Sequence, residues 1–354
     1  MTQHSAPSAA APPAAVPSTM RRYVLAGRRR VELRSDAPVP VPGPGEVLVR
    51  VAACTVCNRS DLAYFHYHGL RDHCATGCFG HEVAGTVAAV GPGVTRTRPG
   101  RRVFLRTPLT SGFAEYATAR EVAVGALPDT VPFTQGAILQ LLPLAVHATR
   151  GVRLGDRVAI VGQGPVGLMA LQAARMRGAA EITVADLDPW RLERSALLGA
   201  DRRVVADGTA ASLAAMGGGF DVAIEAVGTP LTANACVDLL RQNGLVVFLG
   251  THHVDTHVTF DMVAWEKKGL RVHTAAEPTD QDRAAAMRVA ERLAAAPDRL
   301  HLDALLTHAH PLEELPDALD RLSRSPTLVP EGTATPYTTP PEATLKIAVC
   351  PGAP

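Results

Sequence analysis

Val158-Ala159-Ile160-Val161-Gly162-Gln163-Gly164-Pro165-Val166-Gly167 (residues 158–167) is a short apolar run that opens directly into three spaced glycines. The run has the length and composition of a buried strand. Leu168 to Arg177 beyond it carries the apolar spacing of an amphipathic helix. A strand, a glycine turn and a helix in that order form a seat for a dinucleotide. Gly162 permits the tight turn, Gly164 lets the backbone approach a pyrophosphate, and Gly167 lets the helix pack against the sheet. The anion then lies at the helix N-terminus, around Pro165 and Val166, where the free N–H groups beyond the proline and the helix dipole favour negative charge. Asp186 stands nineteen residues beyond Gly167, at the end of the next expected strand. A carboxylate there accepts hydrogen bonds from a ribose 2′-hydroxyl and repels a 2′-phosphate, which favours NAD over NADP. Arg191 is the nearby group that would serve NADP instead.

The pattern repeats downstream. Glu181 to Ala185 reads as a strand, Pro189 to Leu198 as a helix, Asp221 to Ala226 as a strand, Leu231 to Arg241 as a helix and Leu245 to Leu249 as a strand. This alternation predicts an α/β fold with a doubly wound parallel sheet. Upstream the character differs. Val31 to Leu33, Glu46 to Ala52, Val83 to Val90, Val103 to Leu105 and Phe113 to Thr118 are short strand signals, and Gly91-Pro92-Gly93 is a turn. They predict a β-rich, irregular barrel. Helices are expected at Gln281 to Ala295 and Leu312 to Leu322, with strands at Leu305 to Thr307 and Lys346 to Val349. Residues 1–19 are rich in Ala, Pro and Ser and read as a disordered tail. Residues 325–343 are rich in Pro and Thr and read as a flap or a disordered link.

The chain has 354 residues, 47% of them hydrophobic, and a formal net charge of +1. The length suggests about two domains. The charge gives no reason to expect nucleic acid, and no stretch is long and apolar enough to span a bilayer. No basic segment followed by an apolar one opens the chain, so a cytoplasmic location is expected. Four of the six cysteines (Cys54, Cys57, Cys74 and Cys78) fall in one short stretch, and such clustering points to metal or catalysis rather than disulfides. Cys57, His81 and Glu82 offer a thiolate, an imidazole and a carboxylate, an ordinary ligand set for zinc. The alternative is a four-thiolate site on the four clustered cysteines, which leaves His81 without a purpose.

The runs VAACTVCNRSDL (51–62), GHEVAGTVAAVGPGV (80–94), PGRRV (99–103), GFAEY (112–116), VGQGPVGLMALQAARMRGA (161–179) and DVAIEAVG (221–228) resemble the zinc-dependent medium-chain dehydrogenase/reductases. The resemblance runs from Met20 to Pro351. It implies a GroES-like catalytic domain (20–148), a Rossmann NAD-binding domain (149–276) and a return to the catalytic domain (277–354). It implies Cys57 and His81 as metal ligands, Glu82 as an occasional ligand and Ser60 as the hydroxyl that passes on the substrate proton. It also implies one catalytic zinc, a nicotinamide beside Val227 and Gly228, a small alcohol or ketone substrate, a homodimer, and an exposed turn before a strand at Trp265-Glu266-Lys267-Lys268. The chain departs from the family in four respects. Leu142, in Leu142-Pro143-Leu144-Ala145, stands where the third zinc ligand is expected. Ala63 stands where a relay histidine is common, leaving His66 or His68 as substitutes. One extra residue separates Cys57 from Ser60-Asp61, with Arg59 beside it. The lobe for a structural zinc is missing. The expected activity is NAD-dependent interconversion of a secondary alcohol (polyol, sugar or cyclitol) and a ketone. The alternatives are a zinc-independent reductase of an activated C=C or quinone and a redox-neutral epimerase or lyase.

Overall fold

The computed structural model describes residues 15–66, 79–250, 257–323 and 343–352. The strand Arg157–Val161 lies at the centre of a six-stranded sheet. From edge to edge the order is Arg202–Val205, Glu181–Asp186, Arg157–Val161, Phe220–Glu225, Leu240–Phe248 and Arg271–Thr274. Every pairing is parallel. This is the doubly wound order that reverses at the first strand, and the crevice outside that reversal is where such sheets bind ligands.

A parallel sheet is covered on both faces, so its strands are apolar throughout. Val158, Ala159 and Ile160 are all fully buried. Alternation sends Val158 and Ile160 to one face, against Leu168, Leu171 and Ala174 of the helix Pro165–Met176. It sends Ala159 and Val161 to the other, against Cys236 and Leu239 of the helix Pro230–Leu239. The first helix starts at Pro165, three residues before its apolar periodicity. Gly164 is its extended N-cap, and Pro is pre-organised for the first turn.

The second sheet has seven strands. Its path runs Leu306–Pro311, Lys346–Cys350, Glu46–Thr55, Glu82–Val90, Arg102–Leu105 and Val124–Ala126, with Tyr116–Arg120 pairing on Glu46–Thr55. Thus the last strand of the chain joins a sheet built mainly from its first third. Ala348 pairs with Thr55 and Val349 with Cys54, while Thr55 pairs with Glu82 on its other side. The strand Lys346–Cys350 is buried along its whole length.

Two local readings are corrected. Trp265-Glu266-Lys267-Lys268, expected as an exposed turn, belongs to the helix Met262–Lys268. Asp261 caps it by accepting from the N–H groups of Val263 and Ala264, and Gly269 ends it at φ 58°. The Trp265 ring packs 4.7 Å from that of Phe260. The strand expected at Leu245 begins at Leu240. Cys74, Cys78, His68, most of the N-terminal tail and nearly all of the Pro/Thr-rich segment lie outside the described residues. Among the described residues, no helix is long and apolar enough to cross a membrane.

Candidate active site

The glycine turn combines one strained, one tightly packed and one open position. Gly162 sits at φ +95°, where L side chains are strained. A Cβ on Gly167 would lie 2.0 Å from the carbonyl oxygen of Gly162, whereas a Cβ on Gly164 would meet nothing within 4 Å. One glycine therefore closes the turn against the helix, and the other leaves its approach open. Asp186 sits over this turn. Its Oδ2 accepts from Gln163 N at 2.6 Å and its Oδ1 from Asp188 N at 2.9 Å. The buried Gln163 side chain ties the turn to the next helix, since Ser195 Oγ donates to its Oε1 at 3.1 Å. Gly167→Ala is expected to weaken NADH binding by at least ~10-fold, because the helix must shift to relieve the contact. Titration of NADH fluorescence reads this directly, and unchanged affinity would exclude the turn as the seat.

Val227 and Gly228 follow the strand Phe220–Glu225 and flank the turn. A Cβ on Gly162 would lie 2.7 Å from the Val227 side chain. Glu225, fully buried, organises this loop. Its Oε1 accepts from Val227 N and Gly228 N, both at 2.8 Å, and from Thr232 Oγ1 at 2.7 Å.

In the second sheet, Cys57, His81 and Glu82 converge. One donor atom from each lies within 4.8 Å of the others. Such a donor set fits a zinc ion. Cys57 follows the strand Glu46–Thr55 and is partly exposed, His81 is buried, and Glu82 begins the strand Glu82–Val90. A single buried carboxylate holds both ligand loops. Asp61 Oδ2 accepts from Cys57 N and Asp61 Oδ1 from Gly80 N, each at 2.8 Å. Burial pushes the Asp61 carboxyl up to about 6, against the pull of His81 and the two N–H groups. Burial also opposes charge on His81, but the neighbouring Cys57 thiolate overrides it and pushes the imidazole up to about 10. The same pairing holds the Cys57 thiol below its usual value against the desolvation that would raise it. A metal takes the imidazole in its neutral form, so metal uptake competes with the proton that this pairing favours on His81.

Glu82 is engaged on both oxygens. Lys346 Nζ donates to Oε1 at 2.6 Å and Thr55 Oγ1 donates to Oε2. Lys346 is itself 1% exposed and also donates to Val56 O at 3.0 Å. Ser60 is buried at the start of the helix Ser60–His66, and its N–H donates to Cys57 Sγ at 3.4 Å. Arg59 bridges the two half-sites, its Nη2 donating to Gly228 O at 2.9 Å.

The comparisons agree with both halves. Residues 165–292 match the family model for a zinc-binding dehydrogenase, and residues 43–129 match that for an alcohol dehydrogenase GroES-like domain. Sorbitol dehydrogenase of Gallus gallus is 32% identical over 262 residues, covering 64% of this chain and 73% of that protein. Sorbitol dehydrogenase of Bacillus subtilis (strain 168) is 31% identical over 270 residues, covering 66% and 76%. The chain belongs to the zinc-dependent medium-chain dehydrogenase/reductase family. Among solved structures, the alcohol dehydrogenase TADH from Thermus sp. ATN1 superposes with a TM-score of 0.75 at 25% identity, covering 94% of this chain and 99% of that one.

As a member of this family the chain keeps its departures. Leu142 is fully buried in the larger apolar core and offers packing alone. Cys54 is buried in a different cluster, outside the donor group of Cys57. His66 points away from the site, since its Nε2 lies 2.9 Å from Ser323 Oγ. His147 is partly exposed in the last turn of the helix Leu141–Ala148. Arg191 is buried and lies 3.8 Å from Asp188. Sequence reasoning missed Lys346 and Glu225. The available signal was a lone charge within an apolar run, Leu345-Lys346-Ile347-Ala348-Val349 and Val222-Ala223-Ile224-Glu225-Ala226, which is buried only when partnered.

Proposed function

We propose that the chain is an NAD-dependent, zinc-assisted dehydrogenase that interconverts a secondary alcohol of polyol, sugar or cyclitol type with its ketone. The Arg59–Gly228 hydrogen bond carries this reading, because it sets the donor group and the nucleotide loop on one cleft. The zinc would be held by Cys57, His81 and Glu82. Bound there, zinc would supply Lewis acidity at the substrate oxygen and the nicotinamide would supply the hydride chemistry. Ser60 takes the proton of the substrate hydroxyl and passes it outward, without a histidine three residues on. Asp61 fixes the ligand loops so that both donors keep their positions when substrate enters. Gly162, Gly164 and Gly167, with the helix start at Pro165 and Val166, hold the pyrophosphate, and Asp186 holds the adenosine ribose. The buried state of Arg191 supports NAD over NADP. The edge strand Arg271–Thr274, where Val272 is 43% exposed, suits pairing with a second copy as a homodimer.

NADH formation over a panel of polyols, cyclitols and simple alcohols, together with metal analysis, tests the reading. A metal-free protein that neither binds NADH nor turns over any alcohol would overturn it. Asp186→Ala is expected to raise KM for NAD by about 10-fold and to admit NADP, since the ribose hydroxyls lose an acceptor and the 2′-phosphate loses a repelling charge. Initial rates with each cofactor show the change. An unaltered preference would remove Asp186 from the cofactor site.

A further inference from the structure

We infer that Gln140 completes the metal centre, its side-chain oxygen Oε1 serving as a neutral ligand beside Cys57, His81 and Glu82. The inference rests on the zinc-assisted reading above.

Gln140 ends the 3-10 turn Ala137–Gln140 and is 4% exposed. Its neighbours are apolar on both sides, Ile138-Leu139 before it and Leu141-Leu142 after. The amide nitrogen Nε2 donates to Arg106 O at 3.1 Å, while the buried oxygen Oε1 has no hydrogen-bond partner. A buried carbonyl oxygen left unsatisfied is unfavourable, and a position needing only bulk takes Leu or Met without that penalty. The orphan oxygen therefore marks a group that arrives from outside the chain.

The turn that carries that oxygen packs on the strand Glu82–Val90. Val83 pairs with Leu105 at the end of the antiparallel register, so Glu82 and Arg106 are the next residues beyond the last pair. Gln140 is anchored on Arg106 at that end of the ladder. Side chains alternate along a strand, so Glu82 shares a face with Ala84. Ala84 packs in one core cluster with Ala137, Ile138, Leu139 and Leu142. The turn that carries Gln140 lies on the Glu82 face of the sheet.

The chemistry suits the place. Glu82 shares its two oxygens with Lys346 and Thr55. The Lys346 ammonium offsets its charge, which weakens it as a ligand. A carboxamide oxygen adds a hard donor without adding a second buried negative charge. Leu142, two residues on, has no donor to give.

The test uses the full chain stripped of metal and titrated with Co2+, reading affinity by chelator competition and ligand set by the visible d–d spectrum. Gln140→Leu is expected to weaken Co2+ binding by ~10–100-fold and to change the spectrum. The isosteric Gln140→Glu is expected to tighten binding at least ~10-fold, since an anionic oxygen replaces a neutral one, and it keeps the test open should the leucine variant fold poorly. Thermal unfolding without metal separates packing, which moves Tm but not the spectrum. Wild-type Co2+ affinity and spectrum in both variants would overturn the inference. So would a shift seen instead in Asn58→Leu, whose Oδ1 is the other unpartnered buried amide oxygen in this neighbourhood. A wild-type chain that takes up no Co2+ would overturn the zinc-assisted reading itself, a distinguishable failure.

Discussion

Cys57→Ser is expected to abolish metal retention and to lower kcat/KM for alcohol oxidation by about three orders of magnitude. Cys57 supplies the only sulfur among the three clustered donors, and the neighbouring imidazole lowers its pKa and so favours the thiolate that binds metal. A serine hydroxyl stays protonated there and offers a poor ligand. Loss of Lewis-acid stabilisation of the developing oxyanion is worth about 4 kcal/mol, a factor of ~10^3 in rate. NADH binding should survive, because the glycine turn and Asp186 belong to the other sheet. Metal content by elemental analysis, kcat/KM on the best substrate and the NADH dissociation constant together read the prediction. Full activity in the serine variant, insensitive to chelators, would instead identify a metal-free reductase, the reading that Leu142 most encourages.

The split between what could be read and what could not follows the range of the interactions. The nucleotide half is local. Val158 to Gly167 contains its own strand, turn and helix start, and the strand Arg157–Val161 begins one residue before its apolar run and ends with it. Periodicity also located the helix Asp280–Ala294 within a residue at each end. The metal half is assembled from afar. Cys57, His81 and Glu82 were legible as ligand types, but their convergence depends on pairing between Glu46–Thr55 and Glu82–Val90. Lys346 reaches Glu82 across 264 positions, through a strand whose place in the sheet no local pattern declares. Gln140 was passed over because a single amide in an apolar run has no periodic signature. Its significance appears only when its partners are counted. The helix Met262–Lys268 was misread because its Asp261 cap was not weighed against the charged run that follows.

Lys346→Met is expected to destabilise the metal-free protein by about 3–5 kcal/mol. Methionine fills the volume of the lysine stem but leaves the Glu82 carboxylate, fully buried, with Thr55 as its remaining side-chain partner. An uncompensated buried charge is what makes breaking such a pair so unfavourable, far beyond the net worth of the pair itself. Two further measurements separate this cause from lost packing. Adding Glu82→Gln to Lys346→Met removes the stranded charge, so the double variant should recover most of the stability, with a coupling term of about 2–3 kcal/mol in the cycle. Adding Zn2+ to the single variant should recover part of it too, because a cation beside Glu82 replaces the missing ammonium, and ligands that bind only the folded state stabilise it by mass action. Urea unfolding of the four species, with and without Zn2+, gives every term. If Lys346→Met unfolds with the wild-type midpoint, or if the second substitution adds to the loss rather than relieving it, the Lys346–Glu82 pair is not what supports the carboxylate beside the metal ligands, and the argument that ties Glu82 to the donor set through its buried ammonium falls with it.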